Sequence, residues 1–321
     1  MSSFVISHEH PDWFKPLFAE LDKRGIPYET VNPAAHHFAI EGPKPDFDLF
    51  FNRMSPSAYL RGGVQGTFYT LNYLKFLEDQ GVRVINGYQA FTYETSKALQ
   101  LLLMQRLGIR YPKSRVVNHV SQIEVAAEGL RFPVVVKANI GGSGAGIEKF
   151  NTIQDMREAI KSNRIDLGID HTALVQEFIP ARGGYITRVE TLGGKYLYGI
   201  RVYTTGESFN LCPADICQTT AGQELVRNAC ALDAPKNGLK VEAFTPSAQI
   251  ISAIETIVKH SKIDVGGIEY IIDDRDGEVL YYDVNALSNF VADSVNVIGF
   301  NPHERLVDFL EQQVTENVLT R

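Results

Sequence analysis

Short apolar runs alternate with amphipathic stretches in the first third of the chain. Four runs have the length and composition of strands: Phe4–Ile6, Pro27–Val31, Asp48–Asn52 and Val82–Ile85. Two amphipathic stretches between them have the helical period, Trp13–Arg24 and Gln65–Glu78. Because parallel strands need crossover connections, this alternation predicts a small parallel α/β sheet.

The middle of the chain carries a second set of alternating segments. Helices are predicted at Ala98–Leu107, Ser121–Gly129 and Ile153–Lys161. Strands are predicted at Arg115–Val117, Phe132–Asn139, Ile147–Phe150 and Ala173–Ile179. The glycine-rich segment Gly141–Gly146 joins two of these strands.

The last third predicts hairpins and two long helices. Strands at 185–191 and 196–203 flank a turn at Gly193-Gly194. Helices are predicted at 246–262 and 302–316, whereas residues 212–241 lack a clear period and read as a long loop. The whole pattern predicts an α/β (α+β) chain of three units, at residues 1–92, 93–182 and 183–321.

A predicted hairpin near the C-terminus carries two carboxylates and an amide. Asp283 and Asn285 are two residues apart, so a strand directs both side chains to one face. Glu269 shares that face if it pairs with an odd-numbered residue such as Asp283, which requires a five-residue or bulged loop. Two carboxylates and an amide oxygen are hard ligands that suit magnesium shared with phosphates. The alternative is that they are solvated surface charges.

A glycine-rich loop and a lysine on a buried strand favour a phosphate ligand. The glycines from Gly141 to Gly146 allow the backbone to approach a ligand closely. The loop is neither a Walker A motif nor a dinucleotide fingerprint, because the required lysine and third glycine are absent. Lys137 follows three valines on a strand expected to be buried, where it needs an anionic partner or a route to solvent. The alternatives are a turn without a ligand and, for Lys97 at its helix start, a surface position.

Composition excludes several classes of protein. The 321 residues are 44% hydrophobic and 21% charged, which is ordinary for a globular chain. A formal net charge of -7 argues against a broad nucleic-acid surface. The chain shows no secretory signal and no apolar run that could span a bilayer, so a cytoplasmic protein without membrane partners is expected. The chain has three cysteines, Cys212, Cys217 and Cys230. In a cytoplasmic protein this odd number favours reduced thiols.

Four segments in register resemble the ATP-grasp superfamily, and within it the RimK-type carboxylate–amine ligases, with glutathione synthetases as more distant relatives. They are Ser96-Lys97, Val135-Val136-Lys137 with the glycine loop, Val175–Ile179 and Tyr282–Asn285. The resemblance runs from about Asp48 to the C-terminus. It implies an ATP-grasp fold in which a small N-terminal α/β domain precedes two α+β subdomains that sandwich a nucleotide.

The resemblance implies a role for each matching position. Lys97 and Lys137 would hold the α- and β-phosphates of ATP, and Lys137 would also act in catalysis. Glu269, Asp283 and Asn285 would bind two magnesium ions, with manganese as the alternative metal. The loop, the adenine hinge and an asparagine after a later strand supply the other nucleotide-binding positions: Gly141, Gly142, Ser143, Gly144, Gly146, Gln176, Glu177, Phe178, Ile179 and Asn210.

Four arginines are candidates for catalysis and substrate binding. Arg201 lies on the strand where the family keeps a basic residue near the transferred phosphoryl group, so it is the second expected catalytic residue. Arg53 and Arg61 follow the third predicted strand, where an open α/β sheet places ligands, although both also fit surface positions. Arg188 offers a planar fork for a substrate carboxylate.

The implied activity is ATP-dependent amide formation through an acyl phosphate, with ADP and phosphate released and with amino acids or peptides as substrates. Two alternatives share the fold: a kinase acting on a small-molecule hydroxyl, and a nucleotide-binding regulator with little turnover. A kinase is expected to have a strongly basic acceptor pocket, which the acidic balance disfavours. A homodimer is the expected assembly by the same resemblance.

Two positions depart from the family pattern. Asp283 stands where the family usually has glutamate, and its shorter side chain offers magnesium fewer oxygens at once. The stretch after the hinge has no acidic residue for the ribose, so Tyr185, Thr187 or neither contacts it.

Overall fold

Three large β-sheets follow one another along the chain. They are seen in a computed structural model that describes residues 4–61, 66–141, 146–203, 217–218, 224–225 and 240–319. A parallel sheet comes first, then a four-stranded and a five-stranded antiparallel sheet, which confirms the predicted α/β (α+β) class. The predicted unit boundaries stay predictions. In the described residues, no helix is both long and apolar enough to cross a membrane.

The N-terminal sheet is parallel, as predicted. Its strands, in spatial order β2-β1-β3-β4, are β1 (Phe4–Ser7), β2 (Tyr28–Val31), β3 (Leu49–Asn52) and β4 (Arg83–Ile85). The crossover helices are α1 (Lys15–Arg24) and α2 (Gly66–Asp79). Gly25 ends α1 with a φ of 67°, a conformation that costs a residue without a side chain little.

The middle sheet has the order β5-β8-β6-β7. Its strands are β5 (Ser114–Val117), β6 (Val134–Ala138), β7 (Ile147–Phe150) and β8 (Ala173–Glu177), and all its pairs are antiparallel. The helices α5 (Ile123–Ala126) and α6 (Ile153–Lys161) pack on one side of it. The loop of Gly141 and Gly146 joins the antiparallel partners β6 and β7, as predicted.

The C-terminal sheet has the order β13-β10-β9-β14-β15. Its strands are β9 (Tyr185–Leu192), β10 (Lys195–Tyr203), β13 (Val241–Ala243), β14 (Val265–Ile272) and β15 (Val279–Asn285). Two short strands, β11 (Cys217–Gln218) and β12 (Glu224–Leu225), pair inside the stretch predicted to be one long loop. Cys212, Cys230 and most of that stretch lie outside the described residues. The helices of this part are α7 (Ala248–Ser261), α8 (Ser294–Ile298) and α9 (Pro302–Leu319).

The β14–β15 hairpin has the predicted register and reaches it through a bulge. Glu269 pairs with Asp283, whereas the next pair along the ladder is Tyr270 with Tyr281. Tyr282 is therefore an extra residue on β15, and it lies in the strand rather than in the loop. Without it, a continuous ladder would pair Ile268 with Asp283 and turn the carboxylate to the other face.

Two helices before the middle sheet pack on the C-terminal sheet instead. They are α3 (Tyr88–Glu94), which the sequence pattern missed, and α4 (Lys97–Arg106). Ala90 and Met104 share a core with Ile257 of α7 and with Tyr270 and Tyr281. The helix that carries Lys97 is therefore attached to the sheet that carries Glu269.

A buried asparagine links the first and third sheets. Asn86 is 1% exposed, and its Oδ1 accepts the Asp264 N–H at 2.8 Å and the Val265 N–H at 3.1 Å. Its Nδ2 donates to Val265 O at 2.6 Å and to Ala286 O. One amide thus satisfies backbone groups at the start of β14 and just after β15.

We expect Asn86→Ala to lower the free energy of unfolding by about 3 kcal/mol, because it leaves several buried backbone groups without partners. Urea unfolding followed by circular dichroism measures the change. The matched control is Asn72→Ala, on the exposed side of α2, where the amide bonds Phe68 O. Equal unfolding midpoints for the two variants would contradict the assignment.

Candidate functional site

Asn139 fixes the start of α4 against the end of β6, and so brings Lys97 toward Lys137. Its Oδ1 accepts from Ser96 Oγ at 3.1 Å and from the Ala98 N–H at 2.9 Å, while its carbonyl accepts the Lys97 N–H at 3.2 Å. Ser96 caps the helix itself by accepting the Leu99 N–H. Asn139 was not among the predicted site residues.

Gln100 joins the other side of α4 to β15, the edge strand of its sheet. Its Nε2 donates to Val284 O at 2.8 Å and its Oε1 accepts the Val284 N–H at 3.1 Å. The amide therefore takes the place of a neighbouring strand for this residue. Val284 lies between Asp283 and Asn285, so this contact holds in place the backbone segment that carries both side chains. They lie on the face of the strand opposite to the Val284 side chain.

Lys97 and Asp283 form an ion pair where α4 meets β15. Lys97 Nζ lies 2.6 Å from Asp283 Oδ1, and the side chains are 15% and 20% exposed. Burial alone would raise the pKa of Asp283, but Lys97 beside it holds this pKa below its usual value. The same pair raises the pKa of Lys97 against the opposing effect of burial. Both groups are therefore charged at neutral pH.

Lys137 lies buried next to this pair. It is 6% exposed, and burial followed by the charge of Lys97 lowers its pKa to about 7. Asp283 and Glu269 act in the opposite direction without restoring the usual value. Among the described residues, its Nζ makes no hydrogen bond or ion pair. The sequence prediction of a lysine on a buried strand is confirmed.

Arg188 lies between two buried carboxylates on the sheet next to Asp283. Its Nη1 donates to Glu269 Oε1 at 3.0 Å and its Nε to Glu190 Oε1 at 2.6 Å. The guanidinium group covers Gly267, where a Cβ would lie 2.5 Å from Arg188 Nη2. The Tyr282 hydroxyl, brought to this face by the bulge, donates to Glu269 Oε2 at 2.8 Å.

Two carboxyl groups of this region were missed from the sequence. Glu190 is fully buried, and the spacing rule applied to Asp283 and Asn285 would have placed it on the face of Arg188. Glu94 lies at the end of α3, where it accepts the Ala286 N–H, and burial raises its pKa to about 7. We call three cations and four carboxyl groups the buried charge cluster: Lys97, Lys137, Arg188, Glu94, Glu190, Glu269 and Asp283.

The predicted metal ligands are brought together by the hairpin. Glu269 faces Asp283 across the ladder, and Asn285 Nδ2 lies 3.2 Å from Asp283 Oδ2. In the described part of the chain no three Asp, Glu, His or Cys side chains form a metal-binding group. The available set is two carboxylates and one amide, which are the oxygen donors that magnesium takes when phosphates complete its coordination. These residues fit that ion.

Arg201 lies on the face of the C-terminal sheet opposite to that of Arg188 and Glu269, and its catalytic role stays a prediction. Residue 200 is the one that pairs with Arg188, and Arg188 pairs with Glu269, so the side chain of residue 201 points away from both. There its guanidinium group lies 3.7 Å from the centre of the Phe244 ring and 3.8 Å from Glu242. The sequence placed this arginine on the right strand and could not give the strand's register.

Arg53 and Arg61 follow β3 as predicted, and each guanidinium group makes contacts within the protein. Arg53 is 2% exposed and donates to Ser288 O and, at 2.9 Å, to Asn289 Oδ1. Burial lowers its pKa to about 10. Arg61 pairs with Glu9 and stacks over an indole ring. The Nε and Nη1 atoms of Arg53 are buried without a hydrogen-bond partner among the described residues, so a substrate role for these arginines stays a prediction.

The predicted adenine hinge lies at the end of β8, and several of its groups already have partners. Gln176 is buried and donates to Ser114 Oγ at 2.7 Å. Glu177 accepts the Arg131 N–H, and the Phe178 N–H donates to Pro133 O. The Ile179 N–H has no partner among the described residues. Four other predicted positions lie outside the described residues: Gly142, Ser143, Gly144 and Asn210.

Comparison with known proteins identifies similar sequences over part of the chain. Residues 92–210 match the RimK-like ATP-grasp domain family. The chain is 30% identical over 174 residues to a "Probable alpha-L-glutamate ligase" of Thioalkalivibrio sulfidiphilus, covering 53% of this chain and 57% of that one. It is 30% identical over 191 residues to a protein of the same name from Maridesulfovibrio salexigens, covering 58% and 62%. The matches thus span less than two thirds of these relatives.

Solved structures resemble the whole chain. A RimK domain ATP-grasp protein from Sphaerobacter thermophilus has a TM-score of 0.62 at 19% identity, covering 89% of this chain and 91% of that one. The ATP-grasp ligase PsnB, in complex with a precursor variant, Mg and ADP, has a TM-score of 0.68 at 15% identity, covering 98% and 99%. These similarities confirm the ATP-grasp fold.

The lowered pKa of Lys137 predicts a pH-dependent stability difference. The unfolded chain keeps the usual pKa of 10.5, whereas the folded chain has about 7, so between these values the unfolded state binds more protons. The destabilising effect of this lysine is therefore complete below about pH 7 and disappears toward pH 10.5. We expect Lys137→Met to stabilise the fold most at low pH, with a gain that shrinks as the pH rises.

Urea unfolding of both proteins at about pH 6.5 and about pH 9.5 measures this difference. The matched control is Lys259→Met, at an exposed position of α7. A gain from Lys137→Met that does not change with pH would contradict the lowered pKa.

Proposed function

This chain carries a RimK-like ATP-grasp domain, and from this premise we propose that it is an ATP-dependent carboxylate–amine ligase. It would form an amide through an acyl phosphate and release ADP and phosphate. The observation that carries the proposal is the convergence of Lys97 and Lys137 with Glu269 and Asp283 at one place. Two cations for phosphates beside two carboxylates for a metal are the parts that phosphoryl transfer needs.

We assign the nucleotide phosphates to the two lysines. Lys137 is buried without an anionic partner in the described residues, so a phosphate would satisfy its charge and raise its pKa again. Lys97 would exchange its bond to Asp283 for one to a phosphate oxygen. The glycine loop at 141–146 would cover the phosphates with its N–H groups, and Ile179 would offer its N–H to the base.

Glu269, Asp283 and Asn285 would hold magnesium at the face of the sheet that they share because of the bulge. Such an ion neutralises charge on the transferred phosphoryl group. The residues of the chain would orient the donor carboxylate and exclude water, since an acyl phosphate is easily hydrolysed. Arg188 lies beside these ligands, and we assign it to an anionic group of the substrate or to the charge that develops during transfer.

The proposed reaction has two steps. An oxygen of the donor carboxylate attacks the γ-phosphorus of ATP, and the bond to the β-phosphate oxygen breaks, releasing ADP. The amine then attacks the acyl carbon, the bond to the phosphate oxygen breaks, and inorganic phosphate leaves as the amine loses a proton. Because ATP supplies the activation, the chain needs no nucleophilic side chain. Its contribution is orientation and fixed charge.

Amino acids and short peptides are the proposed substrates. The support is the names of the curated relatives, which are called glutamate ligases, and of PsnB, which was solved with a precursor. Glutamate is therefore the first donor or acceptor to test. The substrate roles of Arg53 and Arg61 and the catalytic role of Arg201 stay predictions.

A pairwise screen of amino acids and peptides with ATP and magnesium tests the proposal. We expect ADP and free phosphate to appear together, and only when a carboxylate donor and an amine are both present. ADP without free phosphate, with a hydroxyl compound alone, would identify a kinase. Nucleotide binding without turnover across the whole screen would favour a regulator.

Asp283→Asn is expected to lower turnover at least about 100-fold, because it removes one metal ligand charge and the partner of Lys97. The matched control is Asp274→Asn, in the loop of the same hairpin, where the carboxylate is 63% exposed. Phosphate release under saturating ATP measures both. Turnover of Asp283→Asn equal to that of the control would remove Asp283 from the metal site.

A further inference from the structure

Both carboxylates proposed as metal ligands are paired with a protein cation. Arg188 Nη1 lies 3.0 Å from Glu269 Oε1, and the Tyr282 hydroxyl bonds the other oxygen of Glu269 at 2.8 Å. Lys97 Nζ lies 2.6 Å from Asp283 Oδ1. These are charge-assisted hydrogen bonds in a largely buried place, where they are stronger than on a surface.

A divalent cation that entered this site alone would meet Lys97 and Arg188 at short range. Like charges repel strongly where water is scarce, and Lys137 adds a third positive group nearby. The metal can take the lone pairs of Glu269 and Asp283 only if the two paired cations acquire another anion. A polyphosphate is such an anion, and it enters with the metal.

We propose that Lys97 and Arg188 are internal counter-ions that close Glu269 and Asp283 to a free divalent cation, so that metal binds only together with a polyphosphate. The inference rests on the proposed ATP site and deepens it, because it makes metal and nucleotide binding one coupled event. By linkage, nucleotide then raises the affinity for metal by the same factor as metal raises the affinity for nucleotide.

Glu190 gives Arg188 a second buried partner for this exchange. Its Oε1 accepts from Arg188 Nε at 2.6 Å, while the bond to Glu269 uses a different nitrogen of the same fork. Glu190 would hold Arg188 in place during the exchange, while the nitrogen that now bonds Glu269 would take an oxygen of the polyphosphate instead. The guanidinium group of Arg188 occupies space over β14 that a side chain at Gly267 would fill. Glu190 is thus a positioning residue that acts through Arg188.

Manganese binding measured by calorimetry and by electron paramagnetic resonance tests the coupling without any turnover. For the unaltered protein we expect no saturable Mn²⁺ binding below about 1 mM without nucleotide, and binding at least about tenfold tighter with ADP present. Lys97→Met removes the counter-ion of Asp283. Both side chains are partly exposed, so we expect the fold to tolerate the change. This variant is expected to bind Mn²⁺ without nucleotide at least about tenfold more tightly than the unaltered protein.

The double variant Arg188→Met with Glu190→Gln tests the other pair. It uncovers Glu269 while removing one positive and one negative charge, so the net charge of the buried charge cluster is unchanged. It should also bind Mn²⁺ alone more tightly than the unaltered protein. Lys259→Met is the control for loss of a positive charge far from the site, and it should leave Mn²⁺ binding as it is.

The outcomes separate the inference from the proposed function. If the unaltered protein binds Mn²⁺ as tightly without ADP as with it, or if neither variant gains Mn²⁺ binding, the counter-ion role is overturned while the ATP site stands. If the protein binds no ADP in the presence of Mn²⁺, the proposed function and this inference fall together. Gain of Mn²⁺ binding in both variants but not in the control supports the inference.

Discussion

The ion pair between Lys97 and Asp283 is the contact on which the site depends. It joins the start of α4 to the edge strand β15. The pair can form because two side-chain amides hold α4 between β6 and β15. Asn139 ties the helix to β6, and Gln100 ties it to the backbone of Val284. A shift of α4 would therefore separate Lys97 from both Lys137 and Asp283.

Burial makes the charges of this region interdependent. A buried ion that loses its partner costs far more than an exposed one, so each group of the buried charge cluster constrains its neighbours. Lys137 and Glu94 have pKa values of about 7 because burial is not fully compensated for either. Such incomplete compensation is a departure from the most stable arrangement, and it is typical of sites that must receive charged ligands.

Side-chain periodicity and strand parity predicted most helices and strands and one strand register. They could not predict the contacts between elements that are distant in the sequence. The helix α6 was predicted to the residue, and the pairing of Glu269 with Asp283 followed from parity, which required a five-residue or bulged loop. The bulge itself, at Tyr282, could not be located, since a loop insertion satisfies the same parity. The face on which Arg201 lies could not be predicted, because parity relates residues of one strand, and the relation of Arg201 to Glu269 passes through two ladders.

The sequence by itself determined the buried position of Lys137 and the shared face of Asp283 and Asn285, because side-chain periodicity is a local property of the backbone. The tertiary structure decided which charges are paired. Glu94 and Glu190 are ordinary carboxylates in the sequence, and Arg53 is an ordinary arginine. Their partners come from other sheets and helices, and only packing brings these groups within a few ångströms of one another and excludes the water that would otherwise screen them.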